Sequence, residues 1–119
     1  LIVCVNVIAG ADHQEAQTLA TSLYNLFAGI ITNQRFPLSP PTEKPIYEGI
    51  AEIEKAVNNM VSCTFTGDRR TLQEPLMDFT QEYQVDELMT TNYIFDASKR
   101  LASFEILKDV IDDINQRIA

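Results

Sequence analysis

DELMTTNYI, residues 86–94, runs directly into FDASKRLASFEILKDVIDDINQRI, residues 95–118, and this stretch decides the fold. Its first part has strand character: Leu88, Thr90, Asn92 and Ile94 share one side, and Met89, Thr91 and Tyr93 share the other. Asp96 then stands where a helix N-cap belongs. Leu101, Phe104, Leu107, Ile111, Ile114 and Ile118 follow at intervals of three or four, the spacing of one helical face. A strand with a polar tip, followed by a long helix folding back along it, is the predicted unit. The same unit recurs over residues 3–31 and 64–83. Strands joined by helix-length crossovers must run parallel, so the fold class is α/β.

Upstream, LIVCVNVIAG (residues 1–10) carries no charge and is rich in β-branched residues. It suits a strand covered on both faces, with Asn6 as a hydrogen-bonded interior amide. Asp12 and Glu15 have capping-box spacing, and Ala16, Leu19, Leu23, Phe27 and Ile30 mark the buried face of the helix that follows. His13 falls in its first, solvated turn. Residues 32–47 hold Pro37, Pro40, Pro41 and Pro45, which predict an extended loop serving as a lid or an insertion. From Glu48 a helix is expected on Ile50, Ile53, Val57 and Met60 or Val61, then a short strand at Ser62–Thr66. Gly67 permits a tight exit, Asp68 caps the next helix, and Leu72, Leu76, Phe79 and Tyr83 form its buried face. Pro75 predicts a kink there or a fresh helix start. On the last helix, Asp113 and Arg117 have the spacing of an i,i+4 pair.

The chain has 119 residues, a length for one domain. A net charge of −8 argues against nucleic acid, which requires clustered cations, and the only adjacent basic pairs are Arg69-Arg70 and Lys99-Arg100. Cys4 and Cys63 lack metal-ligand spacing and read as reduced core thiols of a cytoplasmic protein. With a single histidine, no metal site is expected, and no apolar run reaches membrane-spanning length. Starting at Leu1 inside a strand-like run, the chain reads as a piece of something longer.

Thr66-Gly67-Asp68 leading into Leu72, Leu76 and Phe79 resembles the end of the bacterial-luciferase-like flavin-dependent monooxygenases. So do Asp86-Glu87-Leu88-Met89, Tyr93-Ile94-Phe95-Asp96, Arg100-Leu101, Ser103-Phe104-Glu105 and Leu107, in that order. VCVNVIAG and EAQTLATSL near the start are similar to the same family. The resemblance implies the last part of a (β/α)8 barrel, with three strands and four helices. It also implies reduced flavin, FMN or a related deazaflavin, acting with O2 on a small organic substrate in the full protein. Ligand-facing groups would then be the tips after the last strand, Asn92, Tyr93 and Asp96, with Gly67 and Asp68 after the middle one. Gly67-Asp68-Arg69 departs from the family's Gly-Ser-Pro or Gly-Thr-Pro, and a carboxylate at that helix start opposes a phosphate. Alone, such a piece should be inactive, bind no flavin and self-associate through its open sheet, with the first helix and Val3, Val5 and Val7 involved. The rival expectation is a stand-alone acidic α/β interaction module without catalysis.

Overall fold

A computed structural model describes residues 1–118. Three strands, β1 (Ile2–Ala9), β2 (Thr64–Gly67) and β3 (Glu87–Thr91), alternate with α1 (His13–Ile31), α2 (Ala51–Met60), α3 (Arg69–Glu82) and α4 (Ala97–Ile118). All strand pairs are parallel, as the alternation requires, and β1 is central in the order β2-β1-β3. Its register sets Asn6 opposite Thr64 on one side and opposite Thr91 on the other. Three consecutive strands of a closed barrel would instead lie in sequence order. Here the chain steps from β1 to β2 and then returns past β1 to β3. Because crossovers are right-handed, that reversal sends the two connections to opposite faces of the sheet.

Side chains alternate across the sheet, so the two faces of β1 separate cleanly. Val5, Val7 and Ala9 are buried with Leu72 and Leu76 of α3 and Leu107, Val110 and Ile114 of α4. Each such Leu or Val, withdrawn from water, contributes about 1.5–3 kcal/mol. Ile8 turns to the other face and packs with Leu19, Ala20 and Leu23 of α1 and with Ile94. That second layer reaches only the carboxyl end of β1. Towards the other end, Ile2 is 60% exposed, and so is Met89, which stands opposite Cys4 on β3. The expectation that residues 1–8 are covered on both faces therefore holds for Ile8 and fails for Ile2 and Cys4. Cys4 and Cys63 are exposed free thiols rather than core residues.

Other expectations shift in register. On α4 the buried stripe is Ser103, Leu107, Val110 and Ile114, whereas Leu101, Phe104 and Ile118 are exposed. On α1 burial ends at Ala28 and Gly29, against which Phe36 of the following loop packs, and Ile30 is exposed. Tyr83 lies at the end of α3, exposed and resting on Phe79 with ring centroids 5.0 Å apart. Pro75 sits inside one unbroken helix, with no second start. β3 stops at Thr91, three residues short of the strand run in the sequence. Asp113 reaches across to α3, where Arg69 donates to it through Nε at 2.8 Å and Nη2 at 2.9 Å, so it is not the partner of Arg117.

The proline loop is irregular, as its composition requires, and it is pinned. Buried Asn25 of α1 accepts the Ile46 N–H at 2.9 Å and donates to Thr42 Oγ1 at 3.2 Å. Thr21 accepts the Thr42 N–H at 2.8 Å. Tyr47 then tucks beneath with Ala28 and Val57 in a small core of its own.

Candidate functional site at the strand carboxyl ends

Parallel strands place all their carboxyl ends on one edge, and α1, α3 and α4 each begin there. Between β1 and β3 the chain leaves towards opposite faces, the kind of switch point at which open α/β sheets hold ligands. Asn92 and Tyr93 stand at that point, immediately after β3.

Asn92 Nδ2 donates to Ser103 Oγ at 2.9 Å, and the same oxygen accepts the Ala9 N–H at 3.0 Å. Ser103 is fully buried, so one hydroxyl ties the end of β1 to the turn after β3. Among the described residues, Asn92 Oδ1 is buried without a hydrogen-bond partner. Tyr93 is 38% exposed. Asp96 has a structural role: its Oδ1 accepts from Ser98 Oγ at 2.6 Å, from Ser98 N at 2.8 Å and from Lys99 N at 3.3 Å. Those bonds, the Ser98 hydroxyl first, hold its carboxyl below the ordinary value.

Asp68 closes a capping box with Thr71, accepting the Thr71 N–H at 2.8 Å and its hydroxyl at 2.9 Å while its own N–H donates to Thr71 Oγ1 at 3.0 Å. The Thr71 amide above all lowers its pKa. Gly67 O accepts the Gly10 N–H at 3.0 Å and joins the ends of β1 and β2. A side chain at Gly67 would strike the Thr71 hydroxyl, so the glycine is needed for the box to close. Across the edge, Lys99 Nζ meets Glu15 Oε1 at 2.9 Å, linking the first turns of α4 and α1.

On the sheet face below, Asn6 Nδ2 donates to Thr64 Oγ1 at 3.3 Å and Thr91 Oγ1 donates to Asn6 Oδ1, a polar row across all three strands. Asn6 is thus hydrogen-bonded, as its place in an apolar strand demanded. Among the described residues no group of His, Cys, Asp or Glu side chains is arranged to hold a metal ion. A cleft of about 400 Å³ lies at the opposite edge of the sheet, between Val85, Leu88, Ile111 and Ile118. Asn92, Tyr93 and Asp96 were the residues expected at this edge from the sequence; Ser103, which ties Asn92 to β1, was not among them. Its place four residues before Leu107 was the available signal.

No protein-family model matches the chain. It is 36% identical over 115 residues to uncharacterized protein YddN of Bacillus subtilis (strain 168), covering 96% of this chain and 34% of that protein. A luciferase-like monooxygenase of Escherichia coli (strain K12) is 28% identical over 113 residues, or 95% of this chain and 34% of the relative. The chain is homologous to that luciferase-like monooxygenase. It spans about a third of the length of the curated relatives it matches. Apo-MsnO8, whose crystal structure is known, shares the fold over 93% of this chain and 34% of its own, with a TM-score of 0.73 at 17% identity. Three parallel strands and four helices are thus an α/β piece shared with part of a larger protein, and this is consistent with a portion of a (β/α)8 barrel in all but the central place of β1.

Proposed function

We propose that this chain supplies the C-terminal third of a luciferase-like flavin-dependent monooxygenase, in which reduced flavin and O2 oxidise a small organic substrate. Homology to a luciferase-like monooxygenase along 95% of the chain carries this reading. A bound flavin would supply the oxygen chemistry, and the protein would hold and orient it. Asn92, Tyr93 and Asp96 are the proposed flavin-side residues of this piece. Tyr93 offers an exposed ring and hydroxyl for contact; Asn92 and Asp96 set the turn that presents it. The neutral side chains of Asn92 and Tyr93 suit the ring system of a flavin. The carboxylates beside them do not fit its phosphate.

A complete barrel takes about 250 residues, so the isolated piece is expected to bind no flavin and to lack activity. The test is a chimera in which this chain replaces its homologous third of the E. coli luciferase-like monooxygenase. Flavin fluorescence, read beside the unaltered relative, should show retained binding, and Tyr93→Ala in the chimera should weaken it. A folded chimera that loses flavin while the relative binds it would refute the reading.

A second reading, a non-catalytic acidic module that self-associates, is favoured by Ile2 and Met89 standing open on the sheet and Leu101 and Phe104 on α4. Light scattering at micromolar concentration checks it. A monomer would exclude self-association and leave the enzyme reading standing.

A further inference from the structure

The carboxyl edge of the sheet gathers three helix starts, normally an invitation to anions because free amides and the helix dipole both favour negative charge. In this chain each start is already filled from within. Asp12 accepts the Glu15 N–H at 2.7 Å, Asp68 accepts from Thr71, and Asp96 accepts from Ser98 and Lys99. Glu15 adds a fourth carboxylate, turned back onto the Ala11 N–H at 3.3 Å. The nearby cations are largely engaged. Arg69 is held by Asp113 and Asp109, Lys99 by Glu15, and Arg100 Nη1 donates to Ile94 O at 3.0 Å. Arg70 is exposed within the first turn of α3, the turn that Asp68 caps.

We infer that this edge excludes phosphate, so that a phosphorylated ligand approaching it presents an uncharged or cationic part and keeps its phosphate away from all three helix starts. The exclusion is set by the chain's own carboxylates, and it holds whether or not the ligand is a flavin. For the flavin reading it deepens the assignment: the ring would face Tyr93, and the phosphate would be seated by residues outside this chain.

Inorganic phosphate is the probe, titrated into the 119-residue chain at millimolar concentration and fixed ionic strength, with backbone amide shifts as readout. The Glu15, Thr71 and Lys99 amides should show no saturable shift. Asp68→Ser retains a capping oxygen while removing the charge, and in that variant the Arg70 and Thr71 amides should begin to shift with phosphate. Asp96→Ser repeats the comparison on α4 in case the first variant unfolds. Saturable shifts at these amides in the unaltered chain would overturn the inference. So would folded Ser variants as indifferent to phosphate as their parent, because the carboxylates would then not be the barrier. Flavin enters neither arm, so failure here leaves the enzyme reading untouched.

Discussion

Ser103, in the second turn of α4, accepts the backbone N–H of Ala9 at 3.0 Å from a fully buried hydroxyl. The same oxygen takes a hydrogen bond from Asn92, so removing it strands two donors at once, one buried and one partly buried. Ser103→Ala should cost about 1–3 kcal/mol, the usual penalty for an orphaned buried group. Denaturant unfolding checks the magnitude. In a double-mutant cycle with Asn92→Ala the two losses should be less than additive, because they remove one shared contact.

Asn25 is a buried amide that spends both its oxygen and its nitrogen on the proline loop. Asn25→Leu keeps the apolar volume but leaves the Ile46 N–H without its acceptor, and about 1–3 kcal/mol of stability should go with it. Limited proteolysis should show faster cleavage within residues 33–46. Unchanged cleavage there would mean that Thr21, Tyr47 and Phe36 fix the loop without Asn25.

At Gly10 an added methyl group would lie 2.7 Å from the Ala16 backbone nitrogen. Backbone in the first turns of α1 has little room to withdraw, so Gly10→Ala should destabilise by about 1–3 kcal/mol through overpacking. The midpoint of urea unfolding should fall with an unchanged slope.

Burial pushes the Tyr47 hydroxyl up to about 12, with the charges of Tyr24 and Glu54 adding to the effect. Between its ordinary value of 10.0 and about 12, the unfolded chain loses this proton while the folded chain keeps it. Stability should therefore decline as pH rises through that window, and the decline should be smaller in Tyr47→Phe. Asp68 and Asp96 shift in the opposite direction, both lowered from 3.8. Their contribution is complete above that value and disappears as pH falls through the lower native ones. Melting temperatures across the two pH ranges test both signs.

Helix and strand identities were legible because they rest on local periodicity. Apolar β1, the Asp12, Asp68 and Asp96 caps and the long α4 were all readable before any contact was known. Burial was less so, since periodicity gives a stripe without saying which of two adjacent stripes meets the sheet. Leu101 and Phe104 had the apolar chemistry of a core face, yet Ser103 occupies it, because the end of β1 needs a hydroxyl there. Cys4 and Ile2 looked interior by composition alone, but α1 covers only as far as Ile8. Strand order lay beyond reach, because it depends on which edge of β1 each later strand joins. Of the site, Asn92 and Asp96 were visible as a polar tip and a cap. The tie between Asn92 and Ser103 required coordinates.

The central position of β1 also constrains when this chain can fold. Its hydrogen-bonding partners, Thr64–Gly67 and Glu87–Thr91, emerge from the ribosome long after it does. Until then an uncharged, sticky ribbon must wait without either neighbour. Long-range pairing of this kind delays folding, because loop closure precedes any reward. Chaperone dependence while Glu87–Thr91 is still inside the exit tunnel is the expected cellular consequence of seating β1 between two strands that both follow it in the sequence.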